Sequence, residues 1–248
     1  MGAGPVAFLA VVVLGTSFLS GIFGMAGGMI LMGALLLMLS VPAAMVLHGV
    51  TQLASNASRA FFWRAHIERR IFLRYAAGTL LALALFTAFR FVPDRALVLI
   101  VLGLMPFAAA AVPERFAPRA DRPLGAELCG FLSAALQLLS GVSGPALDVF
   151  FVRTAMDRRK VVATKAACQV ATHTTKLLYF GGIVATPHED IGWGVMAMCV
   201  VLALAGTSLS RAVLERLTDV QFRRWTQWIV MGIGAVYLVQ GLAAFARA

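Results

Sequence analysis

The chain reads as an all-α integral membrane protein of two inverted-topology repeats, each a glycine-broken helical hairpin followed by three transmembrane helices. Three observations carry that reading: an apolar, charge-poor composition, two glycine-rich interruptions inside long apolar segments, and a self-match at one fixed offset.

Of the 248 residues, 60% are hydrophobic and 13% charged, and the mean hydropathy is +0.88. Soluble domains are about half apolar and a quarter charged, so a soluble globular protein is excluded. No Asp, Glu, Lys or Arg precedes Arg59. The net charge of +10 does not point to nucleic acid, because apolar runs separate the cations and no continuous basic face forms. The length allows roughly six to eight spans of about 20 residues. The N-terminal stretch has no basic n-region and stays apolar to Leu39, unlike a cleavable signal. Cys129, Cys168 and Cys199 lie in or beside apolar runs without C-x-x-C spacing. They read as small buried residues rather than ligands, and no metal or cofactor is expected.

Apolar segments fall at 5–40, 43–63, 72–92, 96–112, 124–152, 160–181, 191–213 and 225–246. The first is too long for one span and is broken at Gly24-Met25-Ala26-Gly27-Gly28. The fifth is broken at Ser140-Gly141-Val142-Ser143-Gly144-Pro145. Gly and Pro clusters interrupt helices, and irregular backbone at membrane depth is tolerated only against protein or a wet cavity. Both segments therefore read as re-entrant hairpins, leaving six full spans.

The loops 64–74, 113–123, 153–165 and 211–224 hold sixteen of the 21 Lys and Arg, whereas the loop with His188, Glu189 and Asp190 holds none. The positive-inside tendency makes the four basic loops cytoplasmic and puts both termini outside. A shift of 117 residues lays Gly24 on Gly141, Gly27 on Gly144, Gln52 on Gln169, Asn56 on His173 and Arg59 on Lys176 without a gap. The repeats are then 1–112 and 124–248, joined by a cytoplasmic linker 113–123. Three spans after each hairpin is an odd number, so the second copy enters the membrane inverted, which is the transporter pattern.

Chemistry concentrates on two helices. Gln52, Ser55, Asn56 and Arg59 share one helix face, and Gln169, Thr172, His173 and Lys176 repeat the spacing. Such stripes cost several kcal/mol per residue against lipid, so they face inward; the plain alternative is hydrogen bonding that glues the bundle. Each stripe carries a cation and neither a carboxylate, which suits an anion. The breaks add Gly24, Gly27, Gly28, Gly141, Ser143 and Gly144, where half-helix N-termini with free N–H groups can meet an anion; close packing of small residues is the simpler reading. Asp148, between Leu147 and Val149, is costly alone in an apolar segment, so it either pairs with a cation or takes up a proton. Lys176 and His173 are its expected partners and Lys165 a less favoured one. Asp148 and His173 are the candidates for proton coupling.

The Gly24–Gly28 turn and its counterpart Gly141–Pro145 resemble the glycine-rich turns of the TauE/SafE family, and the resemblance extends over the length, the two-half layout and the basic interior loops. Ser143 stands where that family carries glycine, and Gly33 and Phe150 stand where it carries proline. The resemblance implies an inner-membrane exporter of sulfite or organosulfonates of bacterial type, with the small anion and the lipid bilayer as partners, no nucleic acid, and a homodimer allowed. Two other readings exist. Gly141-Val142-Ser143-Gly144 matches the G-x-S-G of rhomboid intramembrane proteases, with His173 on the next span, though the repeat puts Ala26 and Asn56 at those positions. A passive anion channel would present the same residues.

Overall fold

A computed structural model describes residues 2–23, 25–184, 191–214 and 219–247. Gly24, His188, Glu189, Asp190 and Arg216 lie outside them. Within them the fold is helical, without strands: α1 Ala3–Phe23, α2 Met25–Met38, α3 Val41–Phe62, α4 Arg69–Phe89, α5 Arg95–Ala111, α6 Gly125–Ser140, α7 Gly144–Phe151, α8 Arg158–Leu178, α9 Trp193–Leu214 and α10 Asp219–Phe245. Single 3₁₀ turns cover Arg64–His66 and Glu114–Phe116, and α8 runs on into a π turn at Tyr179–Ile183.

Both interruptions expected from the sequence are present. The first apolar segment divides into α1 and α2, and the fifth into α6 and α7. At the second break Gly141 takes a left-handed conformation, φ +80°, and its N–H bonds the Gln137 carbonyl at 2.9 Å. That is the usual glycine stop after a last helical turn. Pro145 sits in the first turn of α7, where a missing N–H costs nothing. Other ends are set by side-chain caps: Asp94 accepts from Leu97 N–H to start α5, and Asp157 accepts from Arg159 and Lys160 N–H to start α8.

The lengths refine the reading of the hairpins. At 21 residues and 1.5 Å per residue, α1 reaches about 30 Å and can cross the hydrocarbon core alone. Its partners are shorter: 14 residues in α2, 16 in α6 and 8 in α7. Among the described residues four helices are long and apolar enough to cross a membrane: Gly4–Phe23, Arg69–Phe89, Trp193–Ser210 and Trp225–Phe245. The expected spans 43–63 and 160–181 form helices of 22 and 21 residues, but the polar stripes lower their hydropathy. They belong to the interior.

That interior is arranged around the α3–α8 pair, with α1 against α9, α4 against α6 and α5 against α10. Small residues permit these crossings, as membrane packing requires without a hydrophobic drive between helices. At the α4–α6 crossing, a Cβ on Gly78 or Gly130 would strike the backbone of Glu127 or Tyr75; at the α1–α9 crossing, one on Gly21 or Gly206 would strike Ser210 or the Leu14 carbonyl. Gly33 leaves room for the Tyr237 ring, whose hydroxyl donates to the Met29 carbonyl at 2.9 Å and fastens α10 to α2. The larger apolar core is built on α2 and its neighbours, and a second surrounds Tyr75, Cys129, Phe150 and Phe151. All three cysteines are buried free thiols.

The linker docks onto the second hairpin. Ala120 N–H donates to the Phe150 carbonyl, and the Asp121 carboxylate accepts from Arg119 and from Ala155 N–H. The hydrogen bond from Arg119 holds the Asp121 carboxyl low, at about 2.

Candidate functional site

A cavity of about 720 Å³ lies between the two hairpins and the α3–α8 pair. α3 contributes His48, Gln52, Asn56 and Arg59, and α8 contributes Lys165, Gln169 and His173. Gly28 of the first hairpin and Gln137, Ser143, Gly144 and Asp148 of the second join them, and Ser20 of α1, Ser58 of α3 and Thr207, Ser208 and Ser210 of α9 add hydroxyls to the wall. Among the described lining residues, Arg59, Arg158, Arg159 and Lys165 are cationic, and Asp148 is the single carboxylate. The exposed members Arg158 and Arg159, beside Trp63, mark the open end.

Helix periodicity produces this wall. Gln52, Asn56 and Arg59 follow one another at four and three residues and are linked: Asn56 Nδ2 donates to the Gln52 backbone carbonyl at 2.8 Å, and Arg59 Nη2 to Asn56 Oδ1 at 2.9 Å. Gln52 is only 5% exposed, and its amide lies flat against Gly28, where a Cβ would come within 3.6 Å. Its Nε2 is buried without a hydrogen-bond partner, and so is Arg59 Nε. A buried donor left unpaired costs about 1–3 kcal/mol, and a polar ligand would relieve that cost.

The closed end holds a second polar chain. Lys176 Nζ donates to His48 Nδ1 at 2.8 Å and to the Gly141 carbonyl at 3.0 Å. His48 Nε2 then donates to the Gly28 carbonyl at 2.9 Å. A backbone carbonyl from each break is thus joined through one residue of α3 and one of α8. Lys176 is fully buried, no carboxylate among the described residues pairs with it, and it stands behind His48 rather than lining the cavity. An ammonium in that setting is costly without a counter-charge. His48 and His173 face each other with ring centroids 5.8 Å apart.

Most expected site residues meet here. Gln52, Asn56, Arg59, Gln169, His173, Gly28, Ser143 and Gly144 all line the cavity. Lys176 and Gly141 form the layer behind it. Gly27 does neither: a Cβ there would strike the Thr16 carbonyl and Ser20, so its role is the close crossing of α1 and α2.

Asp148 departs from expectation. It pairs with Lys165, the less favoured partner, and not with Lys176 or His173. Since α7 begins at Gly144, Asp148 lies one turn in, against the early turns of α8; Lys176 is eleven residues further along, about 16 Å. The Asp148 side chain is 38% exposed, so apolar neighbours in sequence did not mean apolar surroundings.

The protease geometry is not formed. Ser143 Oγ donates to Gln137 Oε1 at 2.8 Å, and Gln137 Nε2 lies 2.7 Å from His173 Nδ1. A glutamine stands where a Ser–His hydrogen bond would be needed.

His48 and Gln137, both in the cavity lining, were not expected from the sequence. His48 lies four residues before Gln52 on the same face, and the 117-residue shift carries it onto Lys165, so extending each stripe by one turn would have found both. Gln137 maps onto Ser20, a weaker signal, because its partners come from tertiary packing.

The family model for the sulfite exporter TauE/SafE matches residues 8–237. No curated protein and no solved structure shows a significant match. With a match over nearly the whole chain and an apolar helical bundle around a cation-lined cavity, the chain belongs to the sulfite exporter TauE/SafE family of multi-pass membrane transporters.

Proposed function

We propose that the protein is a secondary transporter that exports small sulfur-containing oxyanions, sulfite or an organosulfonate, across a bacterial-type inner membrane by alternating access around this cavity. One observation carries the reading. In the cavity wall Arg59 and Gln52, the latter a 95% buried amide, each present a buried N–H without a partner, and Asp148, the single carboxylate among the described lining residues, is already paired with Lys165. Buried amide and guanidinium donors without partners recognise an oxyanion, whose lone pairs and charge answer both deficits.

The two-repeat reading has support in the packing. The α1–α9 and α4–α6 contacts exchange under the proposed repeat, as do α2–α10 with α7–α5 and α3–α9 with α8–α4; α3–α8 and α5–α10 map onto themselves. A shift of 117 carries the end of α1 onto the end of α6 and the start of α3 onto the start of α8. In this arrangement residues 1–112 and 124–248 are the repeats and 113–123 the linker. The positive-inside tendency puts Arg158 and Arg159 on the cytoplasmic side, so the cavity opens inward and the His48–Lys176 chain closes the outer end. Both termini are then external. Single cysteines in a Cys-less background test this: those at Arg69 and Arg158 should be protected from impermeant thiol reagents added outside, and one at His188 labelled. Equal labelling of Arg69 and His188 breaks the inverted arrangement.

The substrate is tested with a thermal-shift panel of sulfite, thiosulfate, an organosulfonate and a small carboxylate on purified protein, because a ligand held at 100 times its Kd stabilises by about 2.7 kcal/mol. A selective rise with one sulfur oxyanion is expected. A flat panel, with no counterflow in vesicles, would sink the reading; flux without saturation would make the protein a channel.

A further inference from the structure

Ser143 occupies the N-cap of α7, where a serine oxygen ordinarily accepts from the N–H groups of the first turn. No such bond is made. The hydroxyl is turned away and donates to Gln137 Oε1 at 2.8 Å. With Oε1 engaged, the Gln137 amide has only its N–H groups for His173, and Nε2 reaches His173 Nδ1 at 2.7 Å. Nδ1 must then accept, and a neutral imidazole so held carries its proton on Nε2. His173 lines the cavity, so a donor faces the ligand. Gln137 and Ser143 are 0% and 1% exposed, and each is hydrogen-bonded in this chain.

We propose that Gln137 is a positioning residue for oxyanion binding: it draws the Ser143 hydroxyl away from the α7 N-terminus and holds His173 in its Nε2–H tautomer, opening two sets of N–H donors to one ligand. The inference rests on the anion-carrier reading above. The α7 N-terminus then lacks a side-chain cap, and Gly144 in its first turn lines the cavity. The unpartnered Gln52 Nε2, 95% buried in the same wall, points to a ligand independently. The reverse amide orientation would invert the site: Gln137 Oε1 would accept from His173 Nδ1–H and leave a bare Nε2, an acceptor, toward the anion. The direction of one amide decides whether the histidine attracts or repels an oxyanion.

Histidine is present at four positions, so ¹⁵N-histidine NMR of the whole protein can resolve His173, with His173→Asn assigning its signal. The expected result is a neutral Nε2–H tautomer in the wild type, and a mixture of tautomers in Gln137→Leu. The same variant should bind sulfite roughly 10- to 150-fold more weakly, the loss of one hydrogen bond to a charged group. Ser143→Ala, which keeps the glutamine but frees its amide to rotate, should shift the tautomer in the same direction by less. An Nδ1–H tautomer in the wild type overturns the proposal even if Gln137→Leu does not fold. So does a folded Gln137→Leu protein with unchanged tautomer and affinity. Wild-type protein with the expected tautomer and no affinity for any oxyanion would instead overturn the carrier reading on which the proposal rests.

Discussion

The helices α3 and α8 carry polar residues at corresponding positions, and the fold uses them differently. In α3 the stripe is His48, Gln52, Asn56 and Arg59; in α8 it is Lys165, Gln169, His173 and Lys176. Arg59, at the end of the first stripe, lines the cavity with one hydrogen bond to Asn56 and a free Nε. Lys176, at the end of the second, is fully buried, holds a histidine and a backbone carbonyl, and never reaches the cavity wall. Equal spacing along a helix sets which face a residue shares. It does not set depth, which depends on where the helix stands relative to the opening. Under the proposed repeat, corresponding positions would supply one cation at the cavity wall and another buried behind it.

If that contrast is right, the two cations should not be equivalent. Lys176→Met removes a charge from the interior and leaves His48 Nδ1 and the Gly141 carbonyl without their donor. Each buried acceptor left without a donor costs about 1–3 kcal/mol, so the variant should lose stability and transport less at every substrate concentration. Arg59→Met exposes its loss to solvent at the cavity and should act mainly on apparent affinity. Counterflow across a range of substrate concentrations checks this, and equal losses in the two variants would break the comparison.

The two glutamines sharpen it. Gln52 is pressed against Gly28 with an unpartnered N–H, whereas Gln169 is only partly buried at the wall. Gln52→Ala should weaken anion binding by about 1.5–3 kcal/mol, the value of a hydrogen bond to a charged group, and Gln169→Ala by less. Calorimetric titration with sulfite measures both. Normal binding by both variants would reduce the stripes to helix-to-helix glue.

How much of this was legible in sequence follows from range. The broken hairpins could be read because Gly141 and Pro145 act on their own backbone. The stripes could be read because one helix turn relates Gln52 to Asn56 and Gln169 to His173. The same cost against lipid gave their inward face, but not which part of each stripe meets the cavity, since that depends on which helices surround them. Gln137 is the clearest loss. Nothing near it in the chain distinguishes it, and its meaning comes from Ser143 beyond a break and His173 on another helix.

Asp148 gives the smallest expected effect and the strictest test of asymmetry between the halves. The first repeat has Leu31 at the corresponding position, so any role for this carboxylate belongs to the second half alone. In an apolar setting it would have been the natural proton carrier, together with His173. Its actual setting argues otherwise. The carboxylate is 38% exposed, is bound to Lys165, itself 30% exposed, and lies near the open end of the cavity. Ion pairs of that exposure contribute about 0–1 kcal/mol. Asp148→Asn preserves size and hydrogen bonding and removes titration. It should leave transport driven by a pH gradient intact and shift the melting temperature by no more than a few degrees. If the variant binds and exchanges anion normally yet loses pH-driven uptake, Asp148 does carry the proton, and the second half has a function that the first cannot share.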